Sequence, residues 1–256
     1  MHDARTGMIL AQISDTHILS KETGDPASHS RAENLRRCIA DINRQGVDAV
    51  LHTGDSVHTA SADEYEQLRE ILSGLKAPLF FTPGNRDRRE GLRTALDGLA
   101  YFPDGEFFHY AVEDYPARLV GLDSVSAGDR KGVFCSQRVA WLDDTLAREP
   151  ERPTILFMHH PPFDVVPYYE GGYRHPEDAA NLAALVGRHP QVIRLFCGHV
   201  HCLHHEDWAG TIATTMPSVA VDLRKGGRES WGTNPLYLLH MVSSDGGVVT
   251  HTRLVT

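Results

Sequence analysis

Apolar residues in this chain fall into short runs, and each run ends on polar, chemically capable side chains. Met8-Ile9-Leu10-Ala11-Gln12-Ile13-Ser14 leads to Asp15-Thr16-His17, Ala49 to Thr53 leads to Gly54-Asp55, and Ala77 to Thr82 leads to Pro83-Gly84-Asn85-Arg86-Asp87. Pro153 to Met158 leads to His159-His160-Pro161-Pro162, and Val192 to Cys197 leads to Gly198-His199-Val200-His201. Near-continuous apolar runs of this length predict buried strands. Between them the apolar spacing changes to three and four residues. Leu35, Cys38, Ile39 and Ile42 predict a helix over 30–45 closed by Gly46, with 20–30 a surface loop. Tyr65, Leu68, Ile71 and Leu72 predict a helix over 61–72, opened by a capping box between Ser61 and Glu64. Further helices are predicted over 88–99, 136–148 and 176–188.

The middle of the chain changes character, with antiparallel strands predicted at 107–112 and 117–123. The tail has strand composition at 211–216, 237–242 and 247–252, with Asp-Gly turn chemistry. Strands alternating with helices predict an α/β fold. We read residues 1–256 as one domain with a β-rich C-terminal segment from about 206.

Composition narrows the function classes. The chain has 256 residues, 41% hydrophobic and 23% charged, with a formal charge of −9. That balance argues against a nucleic-acid polymer or an anionic membrane surface as partner. No apolar run approaches the roughly 20 residues of a membrane span. Met1 to Gly7 carries no signal-peptide core, and Cys38, Cys135, Cys197 and Cys202 lack CxxC spacing. Reduced thiols and a cytoplasmic location are the expectation.

Seven ligand-type residues stand at five strand ends: Asp15, His17, Asp55, Asn85, His159, His199 and His201. In an extended segment residues i and i+2 share a side, so His199 and His201 would present two imidazoles together. Binding sites of open α/β sheets lie outside the carboxyl ends of the strands, where these side chains would converge. Carboxylate, amide oxygen and imidazole without thiolate suit Mn, Fe, Zn or Co.

Asp15-Thr16-His17, Gly54-Asp55, Gly84-Asn85-Arg86-Asp87, His159-His160-Pro161 and Gly198-His199-Val200-His201 together resemble the motifs of the calcineurin-like metallophosphoesterases. Within that family the chain looks most like the class III cyclic-nucleotide phosphodiesterases and their glycerophosphodiesterase relatives. The resemblance implies a four-layer α/β/β/α sandwich and a two-metal centre. Asp15, His17 and His201 would bind one metal, Asn85, His159 and His199 the other, and Asp55 would bridge them. His159 rather than His160 is the implied ligand, because it stands two positions before the proline. A small-molecule phosphodiester, either a 3′,5′-cyclic nucleotide such as cyclic AMP or a glycerophosphodiester, is the implied substrate, cleaved by in-line attack of hydroxide generated at the metals. Relatives commonly dimerise, so a homodimer or higher homo-oligomer is an expectation.

Arg86 departs from the family pattern, which has histidine there. Arginine keeps its charge and cannot serve as a general acid, but its fork can hold phosphate bidentately. Arg86 is therefore expected to act with Asp55 and Asn85 in catalysis, as a phosphate clamp. The same Gly-Asn-Arg-Asp variant is found in UDP-2,3-diacylglucosamine pyrophosphohydrolases, so a pyrophosphohydrolase on a UDP-sugar-type substrate is an alternative. A phosphomonoesterase and a non-catalytic metal-binding scaffold are two more. His160, Tyr168, Tyr169, Tyr173 and Arg174 are candidate substrate contacts, the last four in a loop expected to border the site. Asp123 reads as structural, and His204 and His205 as residues at the surface or behind the ligands.

Overall fold

The computed structural model describes residues 7–226 and 228–256. The reading of Met1 to Arg5 and Thr6 therefore lies outside the described residues. Two six-stranded mixed sheets pack face to face, with helices on both outer sides, which is the four-layer α/β/β/α sandwich expected.

The first sheet is built from β1 (Gly7–Ile13), β2 (Ala49–His52), β3 (Leu79–Phe81) and β4 (Ala100–Tyr101), all parallel. Its outer helices are α1 (Pro26–Gln45), α2 (Ala62–Leu72) and α3 (Arg89–Ala95). The second sheet opens with β5 (Tyr110–Val112) and β6 (Arg118–Leu122), antiparallel to each other. It continues through α4 (Ser136–Ala147), β7 (Thr154–Met158), α5 (Pro176–Val186), β8 (Val192–His201), β9 (His204–Trp208) and β10 (Thr211–Pro217). A four-residue helix, α6 (Arg228–Trp231), precedes β11 (Leu236–Ser243) and β12 (Val248–Leu254). The tail thus serves both sheets: β10 lies parallel to β8, whereas β11 returns antiparallel to β1.

Alternation along β1 shows why the layers form. Met8 and Leu10 enter the core between the sheets, with Leu51, Leu119, Phe157 and Phe196. Ala11 and Ile13 enter the core under the helices, with Leu35, Ile39, Leu68 and Phe81. Opposite faces of a strand alternate, so one strand serves two cores. A third core joins the second sheet to α4 and α5 through Leu142, Leu146, Leu182 and Leu185.

Most boundaries agree with the pattern, and the capping box of α2 is present in both directions. The short β4 and α6 were not expected and β5 begins at Tyr110 rather than 107; α1, α3 and β9 differ for identifiable reasons. α1 begins at Pro26, because Asp25 caps it by accepting the Ala27 N–H at 2.8 Å and proline suits the first turn. α3 stops at Ala95, short of the 88–99 expected. His204–Trp208, polar in sequence, forms the edge strand β9, held by pairing to β10 rather than by apolar alternation. All four cysteines are free thiols. Among the described residues, no helix is long and apolar enough to cross a membrane.

Candidate metal centre and active site

The seven ligand-type residues come together where the two sheets' strand ends face each other. Five of them, Asp15, His17, Asp55, His199 and His201, have positive φ between 44° and 70°. Left-handed backbone is uncommon for non-glycine residues and is retained where surrounding structure enforces it. The loops are locked by cross-bonds: Asp15 N–H donates to Gly54 O at 2.9 Å and His17 N–H to Asp55 O at 3.0 Å. Close backbone approach also needs glycine. A Cβ on Gly198 would lie 2.7 Å from Thr53 O, and one on Gly54 would lie 2.7 Å from His159 Nδ1.

The two oxygens of Asp55 face different histidines, Oδ2 at 3.7 Å from His17 Nε2 and Oδ1 at 3.5 Å from His159 Nε2. On one side His201 Nε2 lies 3.1 Å from Asp15 Oδ1 and 3.3 Å from His17 Nε2. On the other, His159 Nε2 lies 3.3 Å from Asn85 Oδ1 and 3.1 Å from His199 Nδ1. Groups behind the cluster set the tautomers. His159 Nδ1–H donates to Thr53 O at 2.7 Å and His201 Nδ1–H to Leu223 O at 3.0 Å, so both Nε2 atoms point into the cluster. Asp15 Oδ2 accepts from Ser14 Oγ–H at 2.6 Å and His199 N–H at 3.0 Å, while the buried Oδ1 has no well-aligned donor among the described residues. Converging imidazole nitrogens and carboxylate oxygens need positive charge between them, as protons or as metal ions, so the donor set fits metal ions.

Electrostatics agree. Burial lowers His17 to about 4 against the pull of Asp55 and Asp15. Burial acts the same way on His159, but the adjacent Asp55 carboxylate outweighs it and raises that imidazole to about 9. Burial and then repulsion by Asp55 push Asp87 up to about 7, although Ser56 and the Gly84 N–H hydrogen-bond to it. The cluster is a buried, mutually dependent set of charges.

Among the described residues three metal-capable groups are Asp15 with His17 and His201, Asp15 with Asp55 and His159, and His159 with His160 and His199. His160 differs from its companions because both ring nitrogens are engaged elsewhere, Nδ1 with Ser124 Oγ at 2.9 Å and Nε2 with Arg130 O at 3.2 Å. It ties the 124–131 loop to the cluster. The Tyr173 hydroxyl donates to His160 O at 3.2 Å, and its ring is buried in the core under α4 and α5. Tyr169 packs its ring edge-on to His199, with centroids 5.2 Å apart. Tyr168 and Arg174 are exposed, and Arg174 Nε lies 3.4 Å from Asp129 Oδ2.

Arg86 binds Asp55 through its backbone, N–H to Oδ1 at 2.7 Å. Its half-buried side chain lines a cavity of about 350 Å³ with His58, Thr59, Asn85, Arg89, Ser126 and neighbouring residues. Among the described residues no carboxylate pairs with its guanidinium. Sequence reading left two residues of this cavity unassigned, His58 and Arg89, the latter partly buried and paired with the buried Asp123. His58 lies only three residues beyond Asp55, a position that signals nearness to the site without indicating direction.

The chain matches the calcineurin-like phosphoesterase family model over residues 8–203 and belongs to that family. Its members are dimetal enzymes, in keeping with the ligand groups described above. The chain is 32% identical to a probable glycerophosphodiester phosphodiesterase GpdQ of Arcobacter nitrofigilis, over 97% of this chain and 93% of that protein. It is 27% identical to the 3′,5′-cyclic adenosine monophosphate phosphodiesterase CpdA of Escherichia coli, over 84% of this chain and 77% of that one. A dimetal phosphatase from Danio rerio shares the fold, with a TM-score of 0.71 at 16% identity, over 97% of this chain and 99% of that structure.

Proposed function

We propose that this phosphoric diester hydrolase acts on a small glycerophosphodiester, with two metal ions held by Asp15, His17, Asp55, Asn85, His159, His199 and His201. The observation that carries the reading is the cavity beside Asn85 and Arg86: it is polar, about 350 Å³, and free of Phe, Tyr and Trp among its lining residues. Such a space suits a polyol phosphate better than a stacked base. Similarity to the probable glycerophosphodiesterase along nearly the whole of both chains supports the same substrate class.

The metals, when bound, would polarise the phosphoryl oxygens and activate water for in-line displacement. Asp55 would bridge them, since its two oxygens face the two ligand groups. Asn85 turns Oδ1 toward His159, which leaves its amide N–H groups for the substrate phosphate. Arg86, whose guanidinium has no carboxylate partner among the described residues, would grip the non-bridging oxygens. The Gly54, Gly84 and Gly198 contacts hold these groups in register, and Tyr169 and His160 would shield the side of the site formed by His159 and His199.

A 3′,5′-cyclic nucleotide is the second reading, favoured by the cyclic-AMP phosphodiesterase relatives and by the Tyr169 ring beside His199, an aromatic edge within reach of a base. The test is a product-resolved panel on manganese-reconstituted protein, with Asp55→Ala as control. It compares glycerophosphoethanolamine, 3′,5′-cyclic AMP, an aryl diester, an aryl monoester and a UDP-sugar. Highest kcat/KM on the glycerophosphodiester, lost in the control, is expected. Preference for cyclic AMP would establish the second reading, and cleavage of the monoester or the pyrophosphate alone would refute both.

A further inference from the structure

His58 enters the cavity from the loop after β2, its backbone N–H donating to Ile18 O at 3.0 Å. Its ring stands edge-on to His17, with centroids 5.5 Å apart and planes at 69°. Nδ1 is shut off from solvent and has no hydrogen-bond partner among the described residues. Among the described residues nothing bonds to Nε2 either, yet Nε2 is not one of the buried, unpartnered atoms, so it is the nitrogen that opens on the cavity.

A neutral imidazole carries one N–H, and placing it on Nδ1 would bury an unpaired donor, a rarer and costlier arrangement than an unpaired acceptor. The tautomer follows from this network rather than from an observed hydrogen. Nε2–H therefore faces the same space as Asn85 and Arg86. Arg86 gives up no proton and suits the anionic phosphoryl oxygens, so the oxygen of the departing alcohol needs a different donor.

We propose that His58 is that donor, its Nε2–H hydrogen-bonding the leaving oxygen as negative charge builds there. The inference rests on the diester-hydrolase reading and deepens it. As water oxygen bonds to phosphorus, the bond from phosphorus to the alcohol oxygen breaks and that oxygen keeps the electron pair. The proton released by the attacking water ends on the alcohol, so a diester and water become a monoester and an alcohol. His58 need not change charge. A donor aimed at developing charge contributes about 10²-fold to 10³-fold in rate, and most where the leaving oxygen is strongly basic.

The test compares His58→Phe, which keeps a ring against His17 but has no donor, with His58→Gln, which has a donor but no ring. Each is assayed for bound metal, for kcat on glycerophosphoethanolamine (alkoxide leaving group) and for kcat on bis-p-nitrophenyl phosphate (weakly basic leaving group). His58→Phe is expected to lose about 100-fold on the alkyl diester and less than about fivefold on the aryl diester, with metal content unchanged. His58→Gln is expected to recover about tenfold of the alkyl loss. If His58→Phe fails to fold, His58→Ala carries the same comparison. Equal losses on both substrates, an unchanged alkyl rate, or loss of metal would overturn the proposal and leave His58 as packing for His17. Wild-type protein that cleaves neither diester would instead refute the proposed function, and the inference with it.

Discussion

Arg89, at the first turn of α3, donates two hydrogen bonds to Asp123 at the end of β6, Nε to Oδ2 at 2.6 Å and Nη2 to Oδ1 at 2.8 Å. The pair joins the exits of the two sheets across one wall of the Arg86 cavity, and Arg89 also holds Val125 O at 2.8 Å. Asp123 is fully buried and accepts the Phe108 and Val125 N–H groups as well.

Asp123→Ala strands a partly buried guanidinium and two amide donors. It should destabilise the protein by about 3 kcal/mol, the lower end for breaking a buried pair because Arg89 is partly solvated. Urea unfolding measures this, and a loss under about 1 kcal/mol would mean that water replaces the carboxylate.

Gly198→Ala places a Cβ against Thr53 O, Ser14 Oγ and Asp15 Oδ2. The clash displaces Asp15 and the His199 loop, and displacement of about 1 Å costs about 100-fold in rate. Metal analysis with an activity assay should show at least one metal lost together with that fall. Full occupancy with normal turnover would disprove the steric argument.

Chelation should abolish hydrolysis and lower the melting temperature by roughly 10 °C, since a tightly held ion contributes about 4 kcal/mol of linkage. Asp55→Ala should blunt the shift by removing the carboxylate proposed to bridge the two ligand groups. Differential scanning calorimetry with and without chelator decides it, and an unchanged melting curve would speak against bound metal.

His240 gives a pH dependence away from the proposed metal ligands. It stacks on Phe196 at 3.8 Å, and its ring nitrogens meet Gln12 Oε1 at 3.2 Å and Thr250 Oγ1 at 2.9 Å. Burial first, then Arg194 and His205, push its pKa from 6.5 down to about 3. The folded state keeps the ring neutral where the unfolded chain protonates it, so this contribution is complete above about pH 6.5 and is lost as pH falls toward 3. His240→Phe should be less stable than wild type at pH 7 by about 1 kcal/mol, from lost hydrogen bonds. Between pH 6.5 and 4 its stability should fall less steeply, by up to about 1.4 kcal/mol per pH unit. Denaturant titrations at several pH values read both, and parallel slopes would show that His240 is not a contributor.

Strand ends carrying Asp15, Asp55, Asn85, His159 and His199 were legible because buried parallel strands read as apolar runs and because their carboxyl ends share one side of a sheet. β9 was not legible, since an edge strand such as His204–Trp208 is stabilised by pairing to β10 and needs no apolar face. The start of α1 was hidden for a different reason: Ser20 to Ser30 is rich in turn formers, and Asp25-Pro26 is equally good as a turn and as a helix start. Among the candidate contacts, Tyr169 and Tyr173 look alike in sequence, yet one packs on His199 and the other is buried beneath His160.

The sequence by itself determined the alternation of strands and helices, the two-faced burial of β1 and the set of side chains carried to the strand ends, because period and local chemistry are properties of neighbours along the chain. Tertiary structure alone decided that the two Asp55 oxygens face His17 and His159, which nitrogen of His201 is free, that Arg89 reaches Asp123, and that His58 shares a cavity with Arg86. These depend on distances between residues far apart in the chain, which are set only when both sheets close on their common core.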